Sequence, residues 1–161
     1  LNRKQKKLAV SQFFCFSLDM EFTPAIKLTL IKRKKVMSMT TRLSNGQATL
    51  AKVDDAAAVN VMDSLKTIAP DVGKYILEFA FSDIYNRPGL DLKQREMITI
   101  TTLLTQGDTA GQLKVHINGA LNVGLSRQAI VETFIHCIPY VGFPKVLNAI
   151  TVAKEVFSEH D

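Results

Sequence analysis

Residues 91–125, DLKQREMITITTLLTQGDTAGQLKVHINGALNVGL, decide the fold, because they read as two amphipathic helices joined by a short polar turn. Asp91 is a good N-cap, Gln94 three residues on completes a capping box, and Gly107 stops this first helix. Thr109 caps the next, which runs to a second glycine stop at Gly124. At roughly 100° per residue, Leu92, Ile100, Leu103 and Leu104 share one arc of the first helix, and Glu96 points into the middle of it. On the second helix Leu113, Ile117, Ala120 and Val123 share an arc with His116, while Lys114, Asn118 and Asn122 fall on the other side.

A carboxylate on an apolar face costs free energy unless it is paired or protonated. One reading of Glu96 is structural, a buried salt bridge to Arg95 or Arg87. The other is functional, a carboxyl group able to trade protons near neutral pH because burial disfavours a bare charge. A lone His on an apolar face is more often a satisfied core residue than a catalyst. Two neighbouring helices that each set one titratable group into the apolar seam alter that balance. Antiparallel and joined by a short loop, they face one groove, where Glu96 and His116 can meet as an acid/base pair.

Working outward, Ser126 caps a further helix through Ile130, Phe134, Ile135 and Ile138. Pro139 and Gly142 disturb its end, and Pro144 restarts a last helix through Val146, Ile150, Ala153 and Phe157. The stretch Tyr140-Val141-Gly142-Phe143-Pro144 is either a plain connection or a ligand-holding turn. In the second case the Tyr140 hydroxyl and the backbone N–H groups about Gly142 come to the groove and hold an anion. Upstream, the spacing of Ala57, Val61, Leu65 and Ile68 predicts a helix from Asp54 to Ile68, ended or restarted by Pro70. Tyr75 to Ile84 predicts a helix apolar almost all round, of the kind sandwiched between partners within a subunit or across an oligomer interface. Asn86-Arg87-Pro88-Gly89 is a turn, and polar Thr40–Thr49 with its Asn45-Gly46 pair reads as a loop leading into the domain. No alternating strand pattern of useful length follows residue 40, so the domain is predicted all-α.

The length of 161 residues suits one domain with a real core. Residues 1–36 carry nine basic side chains against Asp19 and Glu21, a net +7, which leaves −2 for the remainder of the formal +5. A slightly acidic body offers no footprint for nucleic acid. Residues 1–38 are therefore read as a basic extension outside the fold, with 39–161 as the domain and Met37 or Met39 as the natural start. The leader imitates the first part of an export signal (RKQKK, then LAVSQFFCFSL) without a cleavage site. Its apolar run falls short of the roughly twenty residues a membrane span needs. An amphipathic anchor, or a localisation patch at Lys32–Lys35, are the other readings of it. Cys15 and Cys137 are too far apart to suggest a disulfide framework or a zinc site, which fits a cytoplasmic protein. Cys137 reads as a core thiol, and His136 and His160 as a surface or interface imidazole and a tail residue. His116, His136 and His160 do not have metal-ligand spacing, and neither a phosphate-binding glycine loop nor a nucleophile-elbow serine occurs.

Taken together, Arg87-Pro88-Gly89-Leu90, Arg95-Glu96, Leu113-Lys114-Val115-His116-Ile117, Asn122-Val123-Gly124-Leu125 and Tyr140-x-Gly142-x-Pro144 resemble the carboxymuconolactone decarboxylase family of the alkylhydroperoxidase-D-like superfamily. The resemblance runs from about Asp54 to Phe157. It implies a compact six-helix-type bundle that assembles into a ring-like hexamer, a trimer of dimers. The redox branch of that superfamily uses a Cys-x-x-Cys pair ahead of the histidine, at the positions held here by Thr109 and Gln112. Without a thiolate pair there is no dithiol cycle. The decarboxylase branch implies cofactor-independent loss of CO₂ from a small carboxylated lactone or related acid. In that reading His116 is the proton donor or oxyanion stabiliser, Glu96 its partner, Arg95 or Arg87 the clamp for a second carboxylate, and Tyr140 a further donor. An antioxidant enzyme dependent on Cys137 and a non-catalytic oligomeric module are the alternatives.

Overall fold

The computed structural model describes the backbone of residues 24–161 and the side chains from Thr41 onward, apart from Ala57 and Ala58. The signal-like and anchor readings of the leader, and the side chains of the Lys32–Lys35 patch, lie outside the described residues. The chain divides into two units between Ser38 and Met39. In the first, residues 24–38 are helical. The second holds the site. All regular structure among the described residues is helical, as the sequence predicts. None of the described helices is long and apolar enough to cross a membrane.

Helix α1 (Pro24–Leu65) breaks at Asp54, whose backbone is extended (φ −159°, ψ 97°). Val53 O at the break accepts a hydrogen bond from Asn122 Nδ2 at 2.9 Å, which satisfies a carbonyl that helix geometry no longer serves. Thr40–Thr49 is thus helix and not a loop, a correction whose cause is Gly46. A Cβ built there would stand 2.0 Å from Leu77 O, so this glycine lets two backbones touch and makes no turn. The expected helix from Asp54 to Ile68 also ends earlier, at Leu65, and Ile68 is 82% exposed in the turn that follows.

Pro70 starts α2 (Pro70–Tyr75), which leads without a break into a π-helix, Ile76–Ile84. Its end is held by Asn86, whose side chain donates to Phe81 O and accepts from Thr49 Oγ1. Leu77 and Phe81 of the π-helix are buried against Leu50 and Val53 of α1, forming one small core. Tyr75, Phe79 and Ile84 remain exposed, with Phe79 at 60%. Among the described residues the segment is therefore covered on one side only.

The larger core lies among α3 (Leu92–Gln106), α4 (Ala110–Asn122), α5 (Arg127–Val141) and α6 (Phe143–Glu159), around Ile100, Leu104, Ile117, Ile130, Phe134 and Val156. Asp91 and Gln94 form the reciprocal capping box, and Ser126 Oγ accepts from Ala129 N. Gly107, Gly124 and Gly142 take the positive φ that ends or turns the chain at those points. Gly142 closes α5 and opens α6, so Pro139 stays inside α5. One expected cap differs: Thr109 occupies the N-cap position of α4, but its hydroxyl donates back to Leu103 O at 2.7 Å. Packing of α3 against α4 then sets their apolar arcs face to face.

Candidate active site

Glu96 is 0% exposed, on the face of α3 that packs against α4. Its Oε2 is 2.9 Å from His116 Nδ1, so the two titratable groups picked out by helix periodicity meet. The close approach depends on Gly119, one turn beyond His116. A Cβ there would lie 2.7 Å from Val53 Cγ1 and 3.4 Å from Glu96 Oε2, and only a bare backbone leaves room for both.

The other carboxylate oxygen, Oε1, accepts from the Tyr85 hydroxyl at 2.8 Å. Tyr85 Oη is also 2.9 Å from Thr99 Oγ1, which in turn stands 2.9 Å from Arg95 O. Burial pushes the Tyr85 hydroxyl well above its ordinary value, and the nearby Glu96 charge adds to the shift. Tyr85 is therefore held as a proton donor. The salt bridge from Glu96 to Arg95 or Arg87, offered by the structural reading of the sequence, does not form. Glu96 is held by a phenol and an imidazole.

His116 and Tyr85 both line a cavity of about 610 Å³. Leu50, Val53, Val61, Leu65, Ile76 and Phe81 make its apolar wall, supplied by both arms of α1 and by the π-helix. Asp54, Ser64, Thr99 and Gln112 add polar atoms at the edges. The side chain of His116 is 23% exposed, and the ring nitrogen that Glu96 does not use, Nε2, is the one left for the cavity. A volume of this order accommodates a small organic acid.

The remaining expected residues are elsewhere. Arg95 is buried, its Nη2 donates to Arg87 O at 2.6 Å, and its Nε has no hydrogen-bond partner. It ties the turn before α3 to the helix and does not line the cavity, and neither does the exposed Arg87. Among the described residues no Lys or Arg lines it. Tyr140 is 77% exposed on the last turn of α5, its ring 5.8 Å from that of His136. Gly142 is the hinge of the α5–α6 corner. The ligand-holding reading of this stretch is corrected accordingly: it is the corner between α5 and α6, and neither Tyr140 nor Gly142 lines the cavity. Cys137 is a buried thiol that donates to Thr133 O, and burial raises it above the usual thiol range. It does not line the cavity of His116. Among the described residues no three His, Cys, Asp or Glu side chains gather as a metal site would require.

Sequence reasoning missed Tyr85, Thr99 and Gly119. Gly119 had a usable signal, since i+3 from His116 puts it on the same helix face. Tyr85 had none, because its relation to Glu96 runs through a turn and a π-helix.

The model of the carboxymuconolactone decarboxylase family matches residues 70–155. Similar proteins include a 4-carboxymuconolactone decarboxylase of Acinetobacter baylyi, 31% identical over 61% of this chain and 72% of the relative. An uncharacterized 15.0 kDa protein of Paracoccus denitrificans is 30% identical over 74% of this chain and 90% of the relative. A nitrosuccinic acid decarboxylase of Metarhizium robertsii is 32% identical over 52% of this chain and 58% of the relative.

Proposed function

The chain belongs to the carboxymuconolactone decarboxylase family, and from that membership and the geometry of its cavity we propose that it is a cytoplasmic, cofactor-independent decarboxylase. Its substrate is a small carboxylated lactone or a related acid whose departing carboxylate adjoins an electron sink. The names of two relatives support a class of this breadth, since one is a decarboxylase of a lactone and the other of a nitro acid. The observation that carries the reading is the Glu96–His116 contact of 2.9 Å in the wall of a largely apolar cavity.

In the proposed reaction the bond from carbon to the carboxylate breaks, CO₂ leaves, and the electron pair passes through the conjugated system to the carbonyl oxygen. The apolar wall formed by Leu50, Val53 and Phe81 keeps water from the carboxylate, so the charged ground state is poorly solvated and the spread-out charge of the enolate is favoured. His116 in its imidazolium form presents Nε2–H to the developing enolate and then protonates carbon. Glu96 accepts Nδ1–H, which orients the ring and stabilises its positive charge. After product leaves, His116 regains its proton from solvent through the open side of the cavity. A second carboxylate on the substrate falls to Arg87 or Arg95 only if these rearrange, or to another copy of the chain. Residues 39–161 form the catalytic domain, and exposed Tyr75, Phe79 and Ile84 provide apolar surface for a homo-oligomer such as a trimer of dimers.

The test is CO₂ release from 4-carboxymuconolactone and a panel of carboxylated lactones and β-keto acids. A bell-shaped pH–rate profile is expected, and His116→Ala lowers turnover by about 10³-fold in a protein that keeps its helical content. A folded, fully active His116→Ala removes His116 from the mechanism. A hydroperoxide activity lost in Cys137→Ser would favour the antioxidant alternative.

A further inference from the structure

We propose that Tyr85 is a positioning residue for this reaction, the centre of a hydrogen-bond chain Thr99–Tyr85–Glu96–His116 that reverses direction when Glu96 takes up a proton. The inference rests on the decarboxylase reading above. It comes from counting hydrogens. Tyr85 and Thr99 have one hydroxyl hydrogen each, yet three short contacts link Glu96 Oε1, Tyr85 Oη, Thr99 Oγ1 and Arg95 O. Two hydrogens cannot fill three contacts, so with Glu96 ionised one contact stays unfilled, and a proton on Glu96 supplies the third hydrogen.

With Glu96 ionised, Tyr85 donates to Oε1, Thr99 donates to Arg95 O or to Tyr85, and His116 Nδ1–H donates to Oε2. With Glu96 protonated on Oε1, the carboxylic acid donates to Tyr85, Tyr85 donates to Thr99, and Thr99 donates to Arg95 O. In both arrangements every polar atom of a fully buried carboxyl group is satisfied, and in both Oε2 accepts from His116 Nδ1. The neutral ring thus keeps its proton on Nδ1 and turns Nε2 to the cavity. The chain also matches the catalytic cycle. When the imidazolium gives its Nε2 proton to carbon, Glu96 loses its cationic partner, and the Tyr85 donation is what then stabilises the carboxylate.

The charged and titratable groups about the pair come from the neighbouring elements: Tyr85 from just past the π-helix, Asp54 of α1 from the cavity lining, and Arg95 beside Glu96 on α3. Lys114, on α4 with His116, is engaged by Glu159. Among these, Tyr85 is the group in hydrogen-bond contact with the carboxylate besides His116.

Tyr85→Phe removes both arrangements and leaves the ring in place. Glu96 then has one donor fewer and leans harder on His116, so the Nδ1–H signal of the His116 ring, read by NMR at fixed pH in the full chain without substrate, moves downfield. In the CO₂ assay kcat falls roughly thirtyfold with KM within about threefold. Thr99→Val leaves the Tyr85 donation and loses its support, giving a shift of the same sign and about half the size, and Thr99→Ser restores the wild-type signal. Should Tyr85→Phe fold poorly, the Thr99 pair decides alone. An unmoved His116 Nδ1–H signal in Tyr85→Phe, or in Thr99→Val where it stands alone, overturns the proposal, whatever happens to stability. Failure of the reading beneath it looks different: His116→Gln would then keep full activity.

Discussion

Residues 92–159 and residues 40–85 are both helical, but their shapes have different origins. In the first region most helix ends are set by a device within a few residues: the Asp91–Gln94 box, the Ser126 cap, and positive-φ glycines at 107, 124 and 142. In the second, apart from the turn before Pro70, the chain departs from ordinary helix at the extended Asp54 and through the π-helix, and groups distant in sequence help to hold both. Asn122 reaches Val53 O, and Thr49 with Asn86 holds the end of the π-helix. The site draws on both regions. Glu96 and His116 stand on the locally specified helices, whereas Tyr85 and most of the cavity wall come from the region shaped by contact. A glycine that reads as punctuation in one region serves as a spacer in the other.

That contrast is sharpest at Gly46. Gly46→Ala sets a methyl group 2.0 Å from a backbone oxygen that cannot rotate away. It should cost about 3 kcal/mol in urea unfolding, because overpacking against backbone is relieved only by separating the helices. A cost near zero would mean that the α1 contact with the π-helix is looser than described. Gly119→Ala is the intermediate case, since the atoms it meets belong to side chains, Val53 and Glu96. A loss of about 1–2 kcal/mol is expected, with turnover reduced by more than stability alone explains because Glu96 is displaced. Equal activity per folded molecule would contradict that. Asp91→Ala tests the locally specified region, where the expected loss is about 1 kcal/mol with no change in the pH–rate profile.

The smallest effect is the alkaline limb of stability. Tyr85 is raised above its ordinary value of 10.0 in the folded state, so between the unfolded and folded values the native protein holds the extra proton. Stability from this source is complete below about pH 10 and falls as pH rises further. Thermal unfolding between pH 9 and 11 should show a shallower decline in Tyr85→Phe than in the parent. Parallel curves would show that Tyr85 ionises as easily folded as unfolded.

Helix periodicity over residues 91–125 was enough to place Glu96 and His116 on facing surfaces, because an α-helix returns to the same face every three to four residues and short polar turns pair neighbours antiparallel. Caps and glycine stops were legible for the same reason: their causes lie within one turn of chain. Family membership was legible in the same way, since its motifs are short and sit on those helices. Asn45-Gly46 misled because a dipeptide that favours turns does not reveal that another backbone will press against it. Tyr140-Val141-Gly142-Phe143-Pro144 could be read either as a connection or as a ligand-holding turn, because glycine and proline mark a corner without telling what lies beside it.

The sequence by itself thus determined an all-helical domain and the facing of Glu96 and His116, since both follow from local spacing, and its short motifs carried the resemblance to the family. Only the tertiary structure decided that Glu96 is held by Tyr85 rather than by an arginine, that Gly119 makes room for it, and that the kinked α1 and the π-helix wall the cavity. Those facts depend on close approach between segments far apart in the chain, where steric fit and the satisfaction of buried polar atoms act and sequence periodicity is silent.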